Sequence, residues 1–284
     1  MKRGKNIFLN IVIALLIAGI AVSAFVLIRY ASASHRSKST FDELAHLVES
    51  HPQSPSSPES PEESEADSQD TPAEDPEFQM VTDSRTGKEI PVLPEYAELY
   101  RQNPDVVGWI RLSDTVLNYP VMQTPDRKEY YLRRDFYGKH STHGCLFVQE
   151  QCDVFRPSDN ITIYGHNMHD GSMFAVLHKY ENMDFWKTHP VITFDTLSHH
   201  NEYEIFSVFK TSATKKKGFN YQRFVDARNK SQFDRYVKIC KDLSLYDTGI
   251  SPQYGDKLIT LSTCDYSLEN GRLVVVARKA PDAG

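Results

Sequence analysis

Residues 7–28 carry no charged side chain, and only Asn10, Gly19 and Ser23 interrupt their apolar run. As a helix rising 1.5 Å per residue, the run covers about 33 Å, against a bilayer hydrocarbon core of about 30 Å. A cleaved signal peptide has an apolar stretch of only about 7 to 15 residues, and Val22-Ser23-Ala24 is a weak cleavage site. The run therefore predicts a single membrane anchor at 7–28. Lys2, Arg3 and Lys5 precede it and Arg29 alone follows closely. That charge bias predicts a cytoplasmic tail at 1–6 and an extracellular remainder.

Residues 29–88 change character. Between His51 and Met80 the chain has nine acidic residues, six prolines and six serines, and neither Lys nor Arg. Such a segment buries too little apolar surface to offset its ordering entropy, so 29–88 is expected to be a disordered, self-repelling linker. Within it, Phe41, Leu44 and Leu47 fall at helical spacing, enough for a turn or two of amphipathic helix.

Residues 89–284 have the composition of one compact domain, predicted to be mainly β. Short β-rich runs at 107–112, 116–122, 145–148, 161–164, 191–194, 203–210, 257–263 and 273–278 give eight strands. Helical patterns are expected at Pro94–Gln102, with Asn103-Pro104 as a stop, at 172–179 and at 231–245, where Phe233, Tyr236, Val237 and Cys240 share one face. Many short strands and few helices predict a closed barrel or a sandwich. A net charge of -6 offers no polycation for nucleic acid. The four cysteines form no C-x-x-C pair, which excludes a zinc ribbon or a thioredoxin motif. No Gly-rich phosphate loop or dense carboxylate cluster points to a nucleotide or calcium site, and no cofactor or metal is expected.

Strand alternation singles out three groups. In 258–264, Ile259 and Leu261 share one face while Thr260, Ser262 and Cys264 share the other, so Cys264 ends a strand on its polar face. In 161–167, Tyr164 and His166 alternate away from Ile161 and Ile163, with Gly165 leaving space beside the histidine. Arg272 opens an otherwise almost uncharged strand. A thiol is a weak nucleophile until ionised, and a neighbouring imidazole or guanidinium lowers its pKa. His166 would then protonate a leaving amine, and Arg272 would hold an oxyanion or orient the acyl group.

The run Thr260-Leu261-Ser262-Thr263-Cys264, Arg272-Leu273-Val274-Val275 eight residues after the cysteine, and Tyr164-Gly165-His166-Asn167 upstream resemble the sortases. Asn103-Pro104-Asp105-Val106-Val107-Gly108-Trp109-Ile110, Tyr119-Pro120-Val121-Met122-Gln123, Tyr130-Tyr131-Leu132, Gly171-Ser172-Met173-Phe174 and the helix-bearing insertion between the strands ending near Thr211 and beginning near Lys257 resemble class B sortases in particular. The resemblance implies a closed eight-stranded sortase-type barrel behind an N-terminal anchor. It implies a cysteine transpeptidase, with Cys264 as nucleophile, His166 as general acid/base and Arg272 as transition-state arginine. Its partners would be secreted proteins bearing a C-terminal sorting motif and an amine of a peptidoglycan precursor or cross-bridge, or a pilin lysine. Ser262, Thr263 and Tyr164 are the candidate substrate-binding residues.

Several residues admit other uses. Cys145 and Cys152 lie outside the sortase pattern; a disulfide between them, or metal binding with His140 and His143, is a minor alternative to two buried thiols. Asp265 follows the nucleophile but would point to the opposite strand face, and reads as a loop or capping acid. His199-His200 reads as a solvated turn. Two other functions compete with transpeptidation: a non-catalytic membrane-tethered scaffold or adhesin, and a cysteine peptidase that only hydrolyses.

Overall fold

The computed structural model describes residues 2–50, 78–83, 86–214 and 218–281, with side chains from residue 12 onward. The chain divides into two compact units, Met1–Asp42 and Glu43–Gly284.

The first unit is helical. Helix α1 (Lys2–Glu49) contains the apolar run, and its large side chains from Leu15 to Ile28 are 58–70% exposed. A helix apolar on all sides and exposed to this degree suits a lipid surroundings better than water. Among the described residues it is one helix long and apolar enough to cross a membrane. The helix does not stop at residue 28 but continues to Glu49, so the first third of the expected linker is ordered. Within the second unit, Leu44 and Val48 of its last turns are buried and Glu49 accepts from Asn118 Nδ2 at 3.2 Å. The predicted amphipathic turn is therefore held by tertiary contacts that a local reading does not contain. The acidic Pro/Ser stretch at 51–77 lies outside the described residues.

The second unit begins its sheet structure earlier than residue 89. Strands β1 (Gln79–Thr82) and β2 (Glu89–Val92) form an antiparallel pair, so β1 belongs to the folded domain and not to the linker. The turn between them closes through Asp83, whose carbonyl accepts from Gly87 at 2.8 Å and whose carboxylate accepts from Thr86 Oγ1 at 3.0 Å. Gly87 supplies the left-handed φ of 68° that this turn requires. Helix α2 (Pro94–Gln102) follows, with proline in its first turn and Asn103 at its end, as predicted.

The barrel strands are β3 (Val106–Arg111), β4 (Asn118–Met122), β5 (Leu146–Val148), β6 (Asn160–Tyr164), β7 (Val191–Thr196), β8 (Glu202–Ser212), β9 (Leu258–Asp265) and β10 (Gly271–Lys279). They close in the order β10-β8-β7-β3-β4-β5-β6-β9. All eight coincide with the predicted runs, and closure decides between barrel and sandwich. Two pairs, β4·β5 and β6·β9, are parallel; the others are antiparallel. The expected helix at 172–179 is a 3-10 helix (Phe174–Glu181), entered through Met173 in the left-handed region, and it is followed by an unpredicted short helix α3 (Met183–Thr188).

The insertion after β8 carries helix α4 (Lys230–Leu243), capped by the Asn229 side chain accepting from Gln232 N at 3.0 Å. Its predicted face, Phe233, Tyr236, Val237 and Cys240, packs on Phe206, Leu258, Val274 and Val276. Since Val274 and Val276 face this helix, the alternate residues Leu273, Val275 and Ala277 face the barrel interior. The insertion thus covers the outer face of β9 and β10: Tyr236 Oη lies 3.2 Å from Thr260 Oγ1, and Tyr221 Oη lies 2.6 Å from Ser262 Oγ.

Asp195 on β7 is fully buried and pulls four segments together. It accepts from Tyr96 Oη and from Arg111 Nη2, each at 2.6 Å, and from Asn201 N at 3.2 Å. A buried carboxylate is tolerated only when paired and hydrogen-bonded in this way. His200 completes the group, with Nδ1 3.3 Å from Asp195 and Nε2 3.2 Å from Glu95. The β7–β8 turn leaves His199 and His200 exposed, as expected, and in addition lays the His200 ring between two carboxylates contributed by α2 and β7.

Hydrogen bonds to the carboxylates of Asp195 and Glu95 raise the His200 pKa to about 9, above the usual histidine value of about 6.5. The associated stabilisation is fully present below pH 6.5 and is lost as pH rises through 9. Half of the ring is in solvent, which reduces the effect to about 1 kcal/mol. The thermal midpoint is expected to fall by about 2 to 4 °C between pH 6.5 and pH 9.5, beyond the decline of a His200→Gln variant over the same interval. Parallel melting curves in a low-salt buffer series check this.

Candidate active site

Strand pairing assembles the predicted residues. In the antiparallel β9·β10 ladder Cys264 is directly opposite Arg272, and in the parallel β6·β9 ladder Tyr164 is opposite Ser262. Directly paired residues project from the same sheet face, so Tyr164, Ser262, Cys264 and Arg272 all stand on the outer face. The insertion covers that face only as far as Ser262. Beyond it a cavity of about 700 Å³ remains, lined by His166, Cys264 and Arg272 together with Tyr164, Ser262 and Tyr221.

Glycine at 165 has a packing cause. A Cβ there would lie 2.6 Å from Phe174 Cδ2 and closer still to Leu146, so the space beside the histidine is occupied by core side chains. The main chain then turns, with Phe174 N donating to His166 O at 2.9 Å. His166 Nε2 is 2.8 Å from the Leu132 carbonyl. A carbonyl can only accept, so Nε2 carries hydrogen and Nδ1 is the nitrogen left for proton transfer. Burial lowers the His166 pKa, opposed by the Leu132 bond and helped by the nearby Arg133 and His143 charges. The resting ring is therefore biased towards its neutral, proton-accepting form.

Cys264 is partly exposed, whereas Cys145, Cys152 and Cys240 are buried free thiols. Burial pushes Cys145 well above the ordinary thiol range, Cys152 up to about 11, and Cys240 far up. Buried thiols of this kind are poor nucleophiles. Neither Cys145 nor Cys152 is in a disulfide. His143, suggested as a possible metal ligand beside them, instead pairs with Asp170 at 2.8 Å. Arg272 donates to the Gly271 carbonyl at 2.8 Å through Nη1.

The three candidate substrate residues differ in what their side chains already do. Ser262 Oγ is engaged by Tyr221, and Tyr164 Oη donates to Gln149 Oε1 at 2.9 Å. Burial raises the pKa of both tyrosines, so both phenols stay protonated. Thr263 lines the cavity, yet its side chain alternates to the interior face with Leu261, and its buried Oγ1 has no hydrogen-bond partner. Asp265 does not form a triad with His166. Its Oδ1 accepts from Ser267 N at 2.7 Å, and its Oδ2 is 2.9 Å from Lys210 Nζ. Neither Tyr221 nor Leu132 is a site candidate in the sequence: Tyr221 lies in the insertion, in a 3-10 turn (Tyr221–Arg223) that no pattern marks as functional, and Leu132, in the 3-10 turn Tyr130–Arg133, belongs to a segment singled out only for its resemblance to class B sortases.

Residues 110–280 match the Sortase domain family. The chain is 35% identical over 189 residues to sortase B of Staphylococcus aureus, covering 66% of this chain and 75% of that protein. It is 34% identical over 186 residues to sortase B of Listeria monocytogenes, covering 65% and 73%. The crystal structure of Bacillus anthracis sortase B in complex with AAEK1 superposes with a TM-score of 0.65 at 27% identity, covering 88% of this chain and 98% of the other. A Staphylococcus aureus sortase B–substrate complex superposes with a TM-score of 0.62 at 33% identity, covering 68% and 87%. With its family match, its relatives and the closed barrel in agreement, the chain belongs to the sortases, as a class B cysteine transpeptidase.

Proposed function

We propose that Cys264 is the nucleophile, His166 the general acid/base and Arg272 the transition-state cation of this transpeptidase. The observation that carries the reading is the direct opposition of Cys264 and Arg272 across β9·β10 at the mouth of a cavity that also holds His166. The Cys264 proton passes to Nδ1 of His166, and the thiolate adds to the carbonyl of a peptide bond. The resulting oxyanion is held by the Arg272 guanidinium. Collapse breaks the C–N bond, and the imidazolium returns its proton to the leaving amine, leaving a thioester on Cys264. An incoming amine then attacks, loses a proton to His166 and expels the thiolate. One amide replaces another, and no cofactor enters the balance.

The substrates are read as secreted proteins with a C-terminal sorting motif, and the acceptor as an amine of peptidoglycan precursor or cross-bridge, or a pilin lysine. Ser262 and Tyr164 contribute polar contacts along the cavity wall, and Thr263 contributes main chain. The apolar part of α1 anchors the chain as a single membrane span, with the catalytic domain outside the cell. A peptidase would use the same acyl enzyme but resolve it with water.

Cys264→Ala is expected to abolish both cleavage and transfer. The corresponding changes at Cys145, Cys152 and Cys240 cost about 1 to 2 kcal/mol of packing and keep turnover. Peptide cleavage followed by mass spectrometry checks both, and added amine distinguishes a new amide from a free acid. Near-normal turnover in Cys264→Ala would remove the reading altogether.

Arg272 is tested by charge-conserving substitution. A point charge would survive in Arg272→Lys, but a planar fork serving both substrate carbonyl and oxyanion would not. Loss of such a donor costs about a hundredfold to a thousandfold in rate. Arg272→Lys is expected to slow acylation by at least about a hundredfold with little change in thermal midpoint. Stopped-flow acylation beside a melting curve separates this from unfolding.

A further inference from the structure

The carbonyl of Cys264 reveals a second set of residues at this site. In the parallel β6·β9 ladder, Ser262 O accepts from Gly165 N at 3.2 Å. One rung further, Cys264 O would accept from the main-chain N–H of residue 167. That rung cannot form, because β6 ends at Tyr164 and the chain turns away to put His166 in the cavity. Side chains take its place: Asn167 Nδ2 lies 3.2 Å from Cys264 O, and His178 Nε2 lies 3.0 Å from the same oxygen. The two nitrogens are 3.0 Å apart, so the three polar atoms close a triangle behind the nucleophile.

The triangle is anchored from outside. His178 Nδ1 is 2.8 Å from Glu181 Oε1, and a carboxylate only accepts, so Nδ1 carries hydrogen. Lys210 Nζ is 2.8 Å from Glu181 Oε2 and 2.9 Å from Asp265 Oδ2. His178, Glu181 and Asp265 also have their ligand atoms within 4.8 Å of one another, the spacing of a metal site. Lys210 already places an ammonium between the two carboxylates, so the cation position is taken by the protein itself.

We propose that His178, oriented by Glu181 and Lys210, is a positioning residue for Cys264, acting with Asn167 to replace the ladder rung that β6 gives up. The inference rests on Cys264 being the nucleophile. A neutral ring accepts from Asn167, whose other hydrogen holds the Cys264 carbonyl; a doubly protonated ring donates to that carbonyl directly. Either arrangement fixes the backbone of Cys264 and, through it, the rotamers open to the thiol. Reacting atoms displaced by about 1 Å can cost on the order of a hundredfold in rate, so control of this backbone is a lever on the chemical step.

The test uses His178→Ala, His178→Asn and His178→Gln in the full-length chain. A glutamine amide reaches close to where Nε2 sits and offers both a donor and an acceptor, whereas an asparagine amide ends short of it. The Ala and Asn variants are expected to lower kcat for acylation by about tenfold, with KM within about twofold, and Gln to recover most of the loss. Alkylation of Cys264 by iodoacetamide, located by mass spectrometry, is expected to follow the same order without any peptide substrate. That second measurement separates the inference from the catalytic reading: if Cys264 were not the nucleophile, turnover would be indifferent to all three variants while alkylation still ranked them. Equal alkylation rates in all three and in wild type would overturn the positioning role. So would Gln as slow as Ala, or losses in all three that merely track a lowered thermal midpoint, since either assigns His178 to packing alone.

Discussion

The parallel pairing of β6 with β9 is the constraint on which the site depends. Two parallel strands run out at the same edge of a sheet, so Tyr164-Gly165-His166 and Ser262-Thr263-Cys264 end side by side although about a hundred residues separate them. No tight turn can join such strands, and the crossover between them must be long. Here it contains β7, β8 and the α4 insertion. β10 then returns antiparallel from the same edge, which puts Arg272 opposite Cys264. Three chemically complementary side chains meet because strand direction brings their strand ends together.

Gathering strand ends in this way leaves main-chain polar groups without ladder partners, and the fold compensates with side chains. Asn167 and His178 serve the Cys264 carbonyl, and Lys210 neutralises Glu181 and Asp265 beside it. Elsewhere Asp195 plays the equivalent part for the β7–β8 turn, drawing in Tyr96, Arg111 and His200. Thr263 Oγ1 stands apart as a buried hydroxyl without a partner, directly before Cys264. The α4 insertion supplies the remaining control. It seals the polar face of β9 up to Ser262 and leaves the end uncovered, so Cys264 and Arg272 stand at one partly dry opening where burial holds His166 towards neutrality.

How much of this was legible beforehand follows from the range of the forces involved. The eight barrel strands could be read because alternation and β-branched composition are local properties, and each strand satisfies them within its own 3 to 11 residues. The α4 face was legible for the same reason. β1 was not, because Gln79–Thr82 follows an acidic Pro/Ser stretch and gains its stability from β2. The extension of α1 to Glu49 was only hinted at by Leu44 and Leu47, since its last turns are buried by residues far along the chain. Thr263 is named among the candidate substrate residues, yet alternation turns its hydroxyl to the interior.

The sequence by itself determined the apolar span, the eight barrel strands, and the polar residues that stand at the ends of β6, β9 and β10. These depend on hydropathy and on side-chain period, which need no partner to be expressed. Only the tertiary structure decided that the sheet closes, that Cys264 faces Arg272, that Tyr221 reaches Ser262 and that His178 stands behind Cys264. Those pairings join residues 8 to 86 positions apart, and their energies appear only when the barrel excludes water and leaves buried polar atoms to find their partners within the protein.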